Sequence, residues 1–192
     1  PWSRDTNIYL LYADVHSQDR RFGVRIGRQY ILEADGLHLD GSLIRLFDTD
    51  PVSLGLFYGW PVRYYVEESD DWAAGLTVSA RPWQGNRSRM TYVHYREEDR
   101  DLADNHLFLE SWQRFNDEFQ GYGRVAVLNH EYQMSTVYLN YFGMGGNLNL
   151  SLNFQHWAGI EGLTRFYSPL YSIYGGLEPY TCLLYTSPSP RD

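Results

Sequence analysis

Arginine, histidine, glutamate and asparagine residues recur in segments that alternate between apolar and polar side chains. Alternation at every second residue would place such groups on one face of an extended strand. The residues that we assign to this polar face are Arg21, Arg25, Arg81, His94, Arg96, Glu110, Arg114, Arg124, Asn149 and Asn153. Guanidinium groups attract anions and also bind carboxylates through paired hydrogen bonds. The residues of this polar face therefore predict either an anion-attracting pore lining or a ladder of Arg–Glu ion pairs that braces the fold.

Catalytic and metal-binding patterns are not found in the sequence. The six histidines are scattered, and no H-E-x-x-H, G-x-S-x-G or P-loop motif occurs. Carboxylates for glycoside hydrolysis could come from Glu68, Asp70 or Glu110, but the sequence gives no geometry for them. We therefore predict that the protein is not an enzyme and holds no cofactor or metal.

The elements that would position the polar face are predicted to be β-strands. The stretch NLNLSLNFQHW, residues 147–157, places Leu148, Leu150 and Leu152 opposite Asn149 and Asn153. Turn-forming clusters divide the chain into similar runs at 6–16, 21–29, 37–47, 52–62, 72–82, 88–97, 105–114, 118–128, 132–142 and 147–157. The alternation changes phase between Leu39 and Ile44, which predicts a bulge near Gly41. The expected fold is an all-β, antiparallel up-and-down meander of about ten strands.

Composition limits the class of protein further. The chain has 192 residues, of which 17% are aromatic, and a formal net charge of −8, which argues against nucleic-acid binding. No apolar run reaches the length of about 18 residues that a transmembrane helix requires, whereas a transmembrane strand needs only about 9–11.

The connections between the runs alternate in length. Tight links at 17–20, 48–51, 84–87, 115–117 and 143–146 alternate with longer polar segments at 30–36, 63–71 and 98–104, and only the short link at 129–131 departs from the rhythm. Short turns on one side and long loops on the other are typical of outer-membrane barrels. Aromatic residues flank the connections, including Trp60, Trp72, Phe47 and Trp83, as interfacial belts would. We therefore expect the leucines of 147–157 to face lipid and the asparagines to face a lumen.

The segment FGVRIGRQYILEADGLHLDG, residues 22–41, resembles part of the Gram-negative single-chain porins, especially those of the alginate-export type. The resemblance rests on Gly27, Arg28, Gln29, Asp35 and Gly36, in about a tenth of the chain. It implies a diffusion pore or a substrate-selective channel without a cofactor, and it carries over no substrate.

The predicted function is therefore the passage of small, anionic solutes through the bacterial outer membrane, with membrane lipid and lipopolysaccharide as partners. Acidic segments at 67–71 and 97–104 are read as solvated loops, or alternatively as sites for divalent cations beside lipopolysaccharide. The alternative function is that of a soluble, secreted β-sheet domain that binds carbohydrate through aromatic residues. The oligomeric state stays open.

The two ends of the chain are expected to differ from the rest. The sequence starts at Pro1, without an initiator methionine or a signal segment, and ends in CLLYTSPSPRD, residues 182–192, which resembles a translated sequencing adapter. We therefore predict a partial transmembrane barrel over residues 1–181 and a non-native tail that contains the only cysteine, Cys182. A partial barrel should form a curved, open sheet with exposed edge strands.

Overall fold

The computed structural model describes residues 10–34, 36–47, 51–62, 71–97, 102–143 and 148–158. Its strands are β1 (Leu11–His16), β2 (Phe22–Ile31), β3 (Leu37–Leu46), β4 (Val52–Pro61), β5 (Trp72–Ala80), β6 (Asn86–Glu97), β7 (Leu102–Arg114), β8 (Phe119–Leu128), β9 (Glu131–Gly143) and β10 (Leu148–Trp157). The ten predicted runs are thereby confirmed within a few residues at each end, apart from the start of the first run. The start of the first run, Asp35, the acidic residues of 63–70 and the tail at 182–192 lie outside the described residues.

The strands form one antiparallel sheet in which each strand pairs with its neighbours in the sequence, from β1 at one edge to β10 at the other. The predicted all-β meander with an open sheet is therefore confirmed. In the described part, a short 3-10 turn at Leu32–Ala34 is the only helical element. No helix in the described ranges is long and apolar enough to cross a membrane.

Local hydrogen bonds explain why the tight turns form. Between β1 and β2, the Ser17 hydroxyl donates to Asp19 at 2.5 Å, and this bond lowers the pKa of the Asp19 carboxyl. Between β7 and β8, the Asn116 side chain accepts the backbone N–H groups of Glu118 and Phe119. These side-chain bonds stabilise the chain reversals without any packed core.

The short link that departs from the loop rhythm is a two-residue hairpin between β8 and β9. Asn129 and His130 have φ angles of 48° and 72°, and left-handed conformations at both central positions are typical of a type I′ turn. The Asn129 side chain accepts the backbone N–H of Asn105 at 2.8 Å and donates to Asp104 at 2.6 Å. These two bonds tie the short link to the adjacent strand β7.

The two faces of the sheet differ in burial. Ile31 and Leu39 are fully buried on the face that also carries Arg25, whereas Val15 and Ile26, on the opposite face, are 68% and 61% exposed. A single sheet can bury one face in this way only if it curls toward that face, so that its side chains cover one another. We call the buried side the inner face and the exposed side the outer face.

The pairing registers confirm the predicted division between the faces. On the outer face are Phe22, Val24, Ile26, Leu54, Leu56, Leu76, Val78, Leu148, Leu150 and Leu152; on the inner face are Arg25, Gly55, Thr77, Arg124, Asn149 and Asn153. The alternation that was read from the sequence thus holds from β2 to β10.

An apolar cluster fills the part of the inner face that is nearest the long connections. It includes Ile31, Leu37, Leu39 and Val93. Phe57 lies directly over Gly75, where a Cβ atom would come within 2.1 Å of the Phe57 ring. The glycine therefore provides the space for the ring.

The prediction of a bulge near Gly41 is wrong. β2 and β3 pair without interruption from Phe22–Leu46 to Ile31–Leu37. The apparent change of phase arises because the inner face is itself apolar at Leu39, while Ile44 belongs to the outer face. The register shift in the sheet lies instead between Ala126 and Val127, opposite β9.

Candidate functional site: an arginine-lined trough

Arginine side chains line the inner face nearest the tight turns. The sequence contains no lysine, so every basic side chain except histidine carries a guanidinium group. Five arginines on four strands point to the inner face within the strands: Arg25 on β2, Arg45 on β3, Arg87 and Arg89 on β6, and Arg124 on β8. Guanidinium groups suit this position because they form planar, paired hydrogen bonds with carboxylates.

The cavities between these arginines adjoin one another through shared lining residues. A cavity of about 230 Å³ is lined by Arg25, Arg45 and Arg20 of the β1–β2 turn, among others, and a smaller one shares Arg45 with it and reaches Arg87. A third cavity, of about 90 Å³, begins at Arg87 and is lined by Arg89, Glu110 and Trp112. We call this row of adjoining cavities, together with Arg124 of β8 beside Glu110, the arginine trough.

Carboxylates hold two of the arginines at the β1–β3 end of the trough. Arg25 donates from Nε and Nη2 to Asp14 on β1, at 2.9 and 2.5 Å. Arg45 donates to Glu33 of the 3-10 turn at 3.2 Å. The second ion pair brings the turn between β2 and β3 onto the inner face, where Ala34 is fully buried.

Glu110 links two further arginines at the other end of the trough. Its carboxylate accepts two hydrogen bonds from Arg89, at 2.9 and 2.5 Å, and lies 3.8 Å from Nε of Arg124. The side chain of Glu110 is only 13% exposed. Three adjacent strands, β6, β7 and β8, are therefore joined through one carboxylate.

Arg87 differs from these arginines because it has no ion pair or hydrogen bond with any of the residues that the structure describes. It is exposed and stands directly opposite Trp112 across the β6–β7 pair. A guanidinium without a carboxylate partner keeps its full charge available to a solute.

The structure places five of the ten predicted lining residues on the inner face within strands: Arg25, Glu110, Arg124, Asn149 and Asn153. Three others belong to strand ends. Arg21 and Arg114 lie beside turn carboxylates, Asp19 at 4.0 Å and Asp117 at 2.8 Å, and Arg81 follows β5 as an exposed residue. These three therefore stand at the rim and do not line the trough.

The inward phase that was assigned to His94 and Arg96 is wrong. Both residues share the outer face with Trp72, which pairs with Arg96 in register, and the His94 ring lies 5.1 Å from the Trp72 ring. The error follows from β6, whose outer face carries polar and aromatic side chains near the long connection and resembles an inner face. His94 Nδ1 is also 2.9 Å from the side chain of Asn105 on this outer face.

The same error concealed the inner arginines of β6. Arg87 and Arg89 have the opposite phase to His94, and the tight turn between β5 and β6 fixes that phase by pairing Thr77 with Thr91. The phase of β5, which the sequence predicts correctly, therefore determines the phase of β6 across the hairpin. Arg45 was missed because the phase of β3 was thought to change at a bulge.

Comparisons with known proteins add no relative. No family model, no curated protein and no solved structure matches the chain. The described residues also hold no group of three or more histidine, cysteine or acidic side chains that could bind a metal ion.

Proposed function

We propose that the chain forms the wall of a porin-like β-barrel in the bacterial outer membrane, with the outer face against lipid and the arginine trough on the solute path. The observation that carries the proposal is the exposure of apolar side chains along the outer face. Leu11, Leu56, Met90, Leu109, Val125, Val137 and Leu152 belong to seven different strands, and each is more than a third exposed. Exposed apolar surface on this scale requires a partner, and lipid fits a band that runs around a sheet.

Aromatic residues at both ends of the outer face support a membrane location. Near the long connections, the Tyr58 ring lies 5.7 Å from Trp60 and 6.0 Å from Trp72. Near the tight turns, Phe115 stacks on Phe119 at 5.0 Å, and Trp83 is exposed. Rings of this kind collect at the two interfaces of a bilayer, where an amphipathic ring can contact both lipid and water.

The charge in the arginine trough supports anionic solutes as the preferred cargo. Six guanidiniums, those of Arg20, Arg25, Arg45, Arg87, Arg89 and Arg124, meet three carboxylates, those of Asp14, Glu33 and Glu110. The excess is three positive charges. Because most of these arginines are ion-paired, the trough combines both predicted roles: the pairs brace the wall, and the excess charge acts on solutes.

Membrane extraction tests the location of the chain. We expect the protein to sediment with membranes through a high-salt and an alkaline wash and to be released only by detergent. In planar bilayers, the detergent-purified protein should then conduct ions in KCl. A chain that is monomeric and soluble in plain buffer would overturn the proposal and favour the soluble carbohydrate-binding domain instead.

A further inference from the structure

A row of aromatic rings crosses the inner face beside the arginine trough. The Trp112 ring lies 4.5 Å from Tyr122, which lies 5.8 Å from Tyr138, on three successive strands. The Tyr138 hydroxyl accepts a hydrogen bond from Gln155 on β10 at 3.0 Å. Trp112 is the end of this row and is 49% exposed, although it belongs to the buried side of the sheet. The row holds its indole ring in place from one side and leaves the other side open.

Trp112 lines the cavity of about 90 Å³ together with Arg87, Arg89 and Glu110. Glu110 is already occupied, because Arg89 donates two hydrogen bonds to it and Arg124 lies 3.8 Å away. The cavity is lined by two guanidiniums, those of Arg87 and Arg89, and by this one carboxylate. The cavity therefore combines a fixed aromatic surface with a net positive charge.

We propose that this cavity binds a carboxylate attached to a planar aromatic ring, with the ring against Trp112 and the carboxylate on Arg87. This inference rests on the proposed function, because it requires that solutes reach the inner face. A small inorganic anion would use Arg87 alone and leave the indole ring exposed. An uncharged ring would stack on Trp112 and leave Arg87 unpaired. Only a ligand with both groups uses the two residues that stand opposite each other in the β6–β7 pair.

Calorimetric titration of the detergent-folded chain tests the inference with four small molecules. Benzoate carries both groups, acetate lacks the ring, benzyl alcohol lacks the charge, and cyclohexanecarboxylate replaces the planar ring by a puckered one. We expect benzoate to bind about tenfold more tightly than each of the others, since stacking and a charge-assisted bond then act together. Equal binding of benzoate and any one of the three would overturn the inference.

Two variants and their matched controls locate the binding site. Arg87→Gln and Trp112→Leu should each weaken benzoate binding about fivefold to tenfold. Arg81→Gln and Trp60→Leu remove an exposed arginine at the rim and an exposed tryptophan of the outer face, and they should leave benzoate binding unchanged. A loss in the controls equal to that in the two variants, or no loss in the variants, would contradict the assignment.

Ion conductance separates this inference from the proposed function. If the protein conducts ions in KCl but shows no preference for benzoate, the aromatic carboxylate site is wrong and the channel stands. If benzoate binds as expected and no conductance appears in planar bilayers, the site stands and the channel is wrong.

Discussion

At the scale of single residues, the inner face is organised around Glu110. Its carboxylate joins β6, β7 and β8 through Arg89 and Arg124 and is largely shielded from water. A hydrogen bond to a charged group is worth more in such a site than on an open surface, where solvent and salt screen it. Glu110 should therefore contribute to stability, while an exposed pair such as Arg114–Asp117 should not.

The substitution Glu110→Gln tests this difference. It keeps the shape of the side chain and removes its charge, so that two guanidiniums lose their shared partner. We expect a loss of about 2 kcal/mol in the free energy of unfolding, measured by urea titration in detergent micelles. The control Asp117→Asn, in the exposed pair with Arg114, should change stability by less than about 0.5 kcal/mol. Similar losses in both variants would contradict the bracing role of Glu110.

At the scale of strands and turns, the sequence predicted the fold well because both signals were local. Turn clusters marked every strand end, and alternation marked the faces of β2, β4, β5 and β10. The prediction failed in β3 and β6, where polar and apolar side chains occur on both faces of the same strand. Leu39 lies in an inner apolar cluster that is formed across several strands, and His94 packs on Trp72 of another strand. Contacts between distant segments cannot be read from the alternation of a single segment.

The trough was predicted only in part for the same reason. Arg25, Glu110 and Arg124 follow the alternation of their own strands, whereas Arg87 and Arg89 can be assigned only through the pairing of β5 with β6. The partners of the arginines were not predictable either, because Arg45 pairs with Glu33 of a folded turn.

Gly75 offers a test of packing within a strand pair. A Cβ at this position would lie 2.1 Å from Phe57, whose ring is buried, so Gly75→Ala should displace the ring. We expect a loss of about 1–3 kcal/mol in the free energy of unfolding, as is usual for an overpacked core. Gly123→Ala is the matched control, because no atom lies within 4 Å of the Cβ that it would add. If both substitutions are neutral, the packing of Phe57 on Gly75 is wrong.

The strand β10 offers a test of the two environments that the proposal assigns to the faces. Leu150 is on the outer face, 56% exposed, and its neighbour Asn149 is on the inner face. In lipid vesicles, Leu150→Arg should cost about 2–4 kcal/mol if the residue lies near the middle of the bilayer, and Asn149→Arg far less. The measurement is the urea midpoint of vesicle-inserted protein, and equal costs at both positions would contradict the lipid-facing assignment.

At the scale of the whole molecule, positive charge is concentrated in the trough although the chain as a whole is negatively charged. The chain has a net charge of −8, yet the trough carries an excess of three positive charges. Charges on exposed loops are screened by salt within about 8 Å, whereas charges on a confined inner surface act on a solute at short range. Ion selection should therefore follow the trough and not the net charge of the chain.

We expect the positive charge of the trough to make the channel prefer anions, and removal of that charge to abolish the preference. Under a KCl gradient in a planar bilayer, the reversal potential should have the sign of chloride selectivity. Replacing Arg25 and Arg124 by Ala leaves four guanidiniums against three carboxylates and also frees Asp14 from its partner. The double variant should therefore lose most of its anion preference, while Asp14→Asn should increase the preference of the natural chain. Arg114→Ala, at the exposed turn, serves as the control and should leave the reversal potential unchanged. Cation preference in the unsubstituted protein, or an unchanged potential in the double variant, would show that the arginine trough does not select ions.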